Sequence, residues 1–130
     1  MQYITLFFAV GVPMVILDAV WLGVISKPFY AKQLAGIMSS QVTWWPVVAF
    51  YVLYAIAVAF FVVAPALAGA LPWWQVLLRG AFLGLVAYGT YDLTNQATIA
   101  SWPAVVTAAD MAWGAFITGA TSTIAYLILK

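Results

Sequence analysis

The chain alternates long apolar runs with short polar breaks, and the spacing of the breaks predicts four helices of membrane-spanning length. A helical crossing takes about 20 apolar residues. Residues 3–25 form the first run, with Pro13 near its middle, where the missing backbone donor predicts a kink. Gly11, Met14, Asp18, Trp21 and Ile25 recur at three- and four-residue spacing, so one face of this helix carries an acid. Residues 26–43 are the longest polar interval. Lys27-Pro28-Phe29-Tyr30 opens it, and Lys32, Leu34, Ile37 and Met38 give it amphipathic spacing. A short helix lying at the membrane interface is expected there, chiefly as an anchor for head groups, with a gate over a pocket as the other reading.

Trp44-Trp45-Pro46 starts the second run, which ends near Ala64-Pro65, and the paired indoles mark a membrane boundary. Phe50, Tyr51, Tyr54, Phe60 and Phe61 read as packing or lipid contacts, so this helix is assigned no chemistry. A tight turn over residues 66–72 leads to Trp73-Trp74 at the opposite boundary. A third helix then runs from about residue 76 into the stretch 95–100. Ser101-Trp102-Pro103 restarts the chain, Pro103 suits a first helical position, and the fourth helix continues to Leu129.

Two helix faces combine small residues with acids. Gly80 and Gly84 have the small-xxx-small spacing that lets helix backbones meet, and the same row continues through Tyr88 and Asp92 to Asn95. On the fourth helix Asp110, Gly114, Thr118 and Ser122 step by four. Both polar faces therefore point at protein rather than lipid.

Composition narrows the classes. Hydrophobic residues make up 68% of 130 and charged ones 5%, with a mean hydropathy of +1.12, which leaves too little polar surface for a water-soluble domain. The expected fold is an all-α integral membrane protein, a small bundle of four transmembrane helices forming one domain over residues 1–130. The first run is too long for a signal-peptide core and lacks a basic flank, so it is expected to be retained as a helix. Four cations, Lys27, Lys32, Arg79 and Lys130, against three acids give +1, too sparse for a nucleic-acid surface. Without cysteine or histidine there is no disulfide, no His-ligated haem or pigment, and none of the usual zinc or copper ligands. Oxygen ligands alone remain for a metal.

Asp18, Asp92 and Asp110 are the only carboxylate side chains. Their distances from the ends of their runs place each about 10 Å below the interface formed by the first and third connections. An ionised carboxylate in hydrocarbon is costly, so a shared site is expected, with Asn95, Tyr88 and Tyr91 as hydrogen-bond donors. Three acids in such a pocket cannot all stay ionised. They would share a proton, bind a hard cation such as Mg²⁺ or Ca²⁺, or take an amine between Trp21 and Trp113. The plainer alternative makes them interhelical links without further function. No cofactor is predicted.

Leu17-Asp18-Ala19-Val20-Trp21-Leu22-Gly23, Lys27-Pro28-Phe29-Tyr30, the run from Tyr88 to Thr98, Trp102-Pro103 and Asp110-Met111-Ala112-Trp113-Gly114 resemble a bacterial family of predicted membrane proteins, number twenty-one seventy-seven in the domain-of-unknown-function series. The resemblance implies a multi-pass, four-helix protein of the bacterial inner membrane and assigns no activity. Three functions are carried forward: binding or transport of a proton, cation or small polar molecule at the acids; an accessory or assembly subunit of a larger membrane complex or homo-oligomer; and a lipid-modifying enzyme. The lipid bilayer is the one partner common to all three. Lys27 and Lys32 favour a cytoplasmic first connection, with Arg79 and Lys130 pulling the other way.

Overall fold

A computed structural model describes residues 3–130, and among these the chain is helical with no strand. Five helices follow in order: α1 (Tyr3–Ile25), α2 (Lys27–Gln33), α3 (Trp44–Ala68), α4 (Trp73–Thr98) and α5 (Ala104–Leu129). Three of them, α1, α3 and α5, are long and apolar enough to cross a membrane. Helix α4 equals α5 in length at 26 residues. Its load of Gln75, Arg79, Asp92, Asn95 and Gln96 sets it apart in composition.

Pro13 and Pro65 both lie inside helices, and two π turns accompany them. Helix α1 runs on through Pro13 as far as Val20 and then widens into a π turn over Trp21–Ile25, directly after Asp18. Ser26 closes that turn by donating both its N–H and its Oγ–H to the Trp21 carbonyl, each at 2.7 Å. Helix α3 was expected to stop near Pro65, yet it continues to Ala68. A second π turn, Ala59–Val63, precedes the proline, and the Ala64 N–H reaches back five residues to the Ala59 carbonyl. That looser turn relieves the clash a proline ring makes with the carbonyl four residues earlier.

Helix α5 is the axis of the bundle. It packs against α1 and α3 on one side and carries α4 on another, while α4 touches little besides α5. Leu6, Val10 and Met14 of α1 meet Tyr54, Ala55 and Val58 of α3 and Ile117 and Ala125 of α5 in the main apolar core. Apart from Val106 and Tyr126, the rest of the buried face of α5 is small or hydroxylated: Thr107, Gly114, Thr118, Gly119, Thr121 and Ser122. Large apolar side chains such as Phe8, Leu53, Phe60, Phe82 and Phe116 point outward instead. Large apolar side chains outside and a small, hydroxylated helix face inside suit lipid, where helices associate by close packing rather than by hiding from water.

The α4·α5 seam shows that packing at its tightest. A Cβ added at Gly84 would lie 2.0 Å from the Gly114 carbonyl oxygen, and one at Gly80 would lie 2.8 Å from that of Thr118. The two backbones approach closely along Gly80, Gly84, Gly114 and Thr118.

Candidate functional site

The seam between α4 and α5 continues past its glycines toward the acids. The Tyr88 ring fills the space that Gly114 leaves, where an added Cβ would lie 2.3 Å from Tyr88 Cγ. One step on, Gly89 faces the Met111 side chain, and further along Thr107 Oγ1 lies 3.4 Å from the Asp92 carbonyl oxygen. This antiparallel register sets Asp92 within one turn of Asp110, and their carboxyl groups come within hydrogen-bonding reach of each other. Asp92 is 0% exposed, and among the described residues neither of its oxygens receives a hydrogen bond. Two carboxyl groups in contact can bond only through a proton between them.

Asp110 has a second neighbour. Tyr30, on α2, reaches in from the first connection and donates its hydroxyl to Asp110 Oδ1. Burial, and the Asp110 carboxylate beside it, push the Tyr30 phenol up, so this group keeps its proton and stays a donor. The π turn at the end of α1 matters here, because it sets the direction in which the chain leaves for α2.

Asp18 occupies a separate niche. It is buried and accepts two hydrogen bonds, from Tyr51 of α3 at 2.5 Å and from Trp113 Nε1 of α5 at 2.7 Å. Three helices are thereby tied at one carboxylate. Trp113 in turn stacks on Trp21 at 4.5 Å with the planes 7° apart, and Trp21 meets the Tyr30 ring edge-on at 6.5 Å. Among the described residues the buried Trp21 Nε1–H meets no acceptor at hydrogen-bond geometry. An aromatic bridge, Trp113, Trp21 and Tyr30, thus joins the Asp18 niche to the Asp92·Asp110 pair. Below it Tyr54 and Thr118 share a hydrogen bond of 2.8 Å, with the Tyr88 ring 6.2 Å from that of Tyr54.

Several expectations change. Among the described residues no three acidic groups come together as a metal-ligand set, and Asp18 takes its hydrogen bonds apart from the Asp92·Asp110 pair. Asn95, Tyr88 and Tyr91 are not the donors. Tyr88 is held by Gly114 and Tyr54, Tyr91 is 57% exposed and packs edge-on against Trp102, and none of the three hydrogen-bonds to a carboxylate among the described residues. Trp21 and Trp113 each spend a face on the other, which leaves less aromatic surface for an amine. The donors are Tyr30, Tyr51 and Trp113, so α3, to which no chemistry was assigned, supplies one of them. A signal did exist, since Tyr51 and Tyr54 carry the only side-chain hydroxyl groups of α3 and lie three residues apart on one face.

No curated protein and no solved structure matches the chain. With its acids, aromatic bridge and glycine seam in place, the comparison that does succeed is with a family described as predicted membrane proteins, whose match covers residues 3–127, and the chain belongs to that family, DUF2177.

Proposed function

We propose that this is a multi-pass protein of the bacterial inner membrane in which all four long helices cross the bilayer, and that the Asp92·Asp110 pair binds and releases a proton in the service of proton-linked transport. The observation that carries the reading is the fully buried Asp92 carboxyl, which meets no donor among the described residues and lies against a second carboxyl.

The proton belongs on Asp92. Asp110 already accepts a hydrogen bond from Tyr30, whereas Asp92 meets no donor among the described residues and is satisfied only by donating its own O–H to Asp110. Release breaks that O–H bond, hands the proton to a water or another base, and leaves two carboxylates side by side. Their repulsion is roughly 4 kcal/mol at about 4 Å and an effective dielectric of 20. Release therefore goes with separation of the pair or with entry of another positive group, and such coupling is what a proton-linked carrier needs. Helix α2, with Lys27 and Lys32 exposed, lies at the head groups in this reading and covers the pair from the side of the first connection.

Infrared spectroscopy of the reconstituted protein near pH 7 tests the site. A protonated-carboxyl carbonyl band is expected in the wild type and absent from Asp92→Asn. Proteoliposomes loaded with a pH-sensitive dye test the activity: after an external acid pulse the wild type should acidify the lumen faster than Asp92→Asn. A band unchanged by Asp92→Asn would dispose of the proton pair, and equal acidification rates would dispose of transport.

A further inference from the structure

At the end of the bundle away from the acids, the charged side chains are two basic ones, Arg79 and Lys130. Arg79 is exposed on α4 six residues past Trp73, about 9 Å along the helix. Lys130 ends α5 over the Tyr126 ring at 5.9 Å, and Tyr126 donates its hydroxyl to the Leu71 carbonyl in the turn before α4, which puts Lys130 at the same end. Asp92 lies thirteen residues beyond Arg79, about 20 Å away, and Asp18 and Asp110 are at that far end with it. All three carboxylate side chains of the chain therefore lie at the end opposite Arg79.

Beside Arg79 runs a groove of about 360 Å³ between α3 and α4, lined by Phe61, Val62, Arg79, Phe82, Leu83 and Val86. Arg79 stands at its boundary end, near the paired indoles Trp73 and Trp74, and Val86 lies about 10 Å deeper. Two things shape the trough. The π turn Ala59–Val63 sits where α3 faces it, and α4 rests mainly on α5, meeting α3 in a small buried cluster of Val62, Ala66, Val76 and Tyr126. The result is one guanidinium at the mouth of an apolar channel.

We infer that this groove is a binding site for one anionic phospholipid, whose phosphate pairs with Arg79 and whose acyl chain lies along Phe61, Phe82 and Val86. A guanidinium pairs bidentately with phosphate oxygens, and no carboxylate side chain at this end competes with them. The aromatic and branched side chains offer an acyl chain the same apolar surface on either side. The site rests on the reading that α4 crosses the bilayer, and it is independent of the proton pair.

Native mass spectrometry of the detergent-purified protein, incubated with equal amounts of phosphatidylglycerol and phosphatidylcholine, provides the test. The wild type should retain phosphatidylglycerol about five-fold over phosphatidylcholine, the advantage expected of one basic residue at a membrane surface. Arg79→Gln should abolish the preference and Arg79→Lys should keep part of it. Phe82→Ala should weaken retention of both lipids alike, and Lys130→Gln, outside the groove, should leave the preference intact. Equal retention by the wild type, a preference that survives Arg79→Gln, or one lost with Lys130→Gln would each overturn the site. So would displacement of the lipid by glycerol phosphate alone, since that marks a head-group contact without the groove. The chain has no cysteine, so a Val86→Cys variant in native membranes separates the two readings. A thiol that reacts with a water-soluble maleimide removes the α4 crossing and the lipid site together; a shielded thiol with no lipid preference removes the lipid site alone.

Discussion

Replacing Gly84 by alanine should prise open the seam on which the acid pair depends. The new Cβ would sit 2.0 Å from the Gly114 carbonyl oxygen and 2.6 Å from its carbonyl carbon, and both are backbone atoms in the middle of a helix. A comfortable carbon-to-oxygen contact is about 3.3 Å, so α4 and α5 must part by about 1.3 Å along that line. No rotamer change can absorb the clash. Overpacking of this kind costs about 1–3 kcal/mol, and with backbone on both sides the upper figure applies, offset by up to about 1 kcal/mol for the better helix propensity of alanine. The expected net loss is about 2 kcal/mol. Gly11→Ala is the control, because its Cβ would meet only Ala55 Cβ at an ordinary 3.6 Å; it should be neutral or slightly stabilising. Reversible unfolding in mixed micelles, followed by circular dichroism, measures both. Asp92 and Asp110 lie about two turns and one turn from the clash on their helices, so the infrared carbonyl band of the pair should shift in Gly84→Ala as well. A Gly84→Ala protein within about 0.5 kcal/mol of wild type, the range of an ordinary surface change, would refute the backbone contact and the register built on it.

Tyr51→Phe and Trp113→Phe each remove one donor from the buried Asp18 carboxylate, and each should cost about 1.5–3 kcal/mol in the same unfolding assay. Tyr30→Phe tests the hold of α2 on the site: Tyr30 resists ionisation in the folded protein more than in the unfolded chain, so its contribution is complete below about pH 10 and declines as pH rises further. The stability gap between wild type and Tyr30→Phe should accordingly narrow above about pH 10, and a gap that widens there would reverse the sign of the argument. Single cysteines at Gly36 and Ser101 should be labelled from the same side of the membrane, because four crossings put the first and third connections together; labelling from opposite sides would remove α4 as a crossing.

The sequence by itself determined the helices and what faces what. Apolar runs of crossing length, tryptophan pairs at their ends and prolines at their starts located α1, α3, α4 and α5 to within a few residues, because each of those signals acts locally along the chain. The rows Gly80, Gly84, Tyr88, Asp92 and Asp110, Gly114, Thr118, Ser122 also identified the faces that meet, since a four-residue step fixes a face without reference to the rest of the fold. Tertiary structure decided the partners. Which donor reaches which acid depends on the angles at which α1, α3 and α5 cross and on how α2 returns over them, and no spacing within one helix encodes that. Hence Tyr51, thirty-three residues from Asp18, and Tyr30, eighty from Asp110, became donors, while Tyr88, one turn from Asp92, was taken up by the hollow at Gly114. The two π turns belong to the same class, because a widened turn answers to packing and proline geometry several residues away. One carboxylate tied by two donors and another left with none among the described residues could be read only after the helices had been brought together.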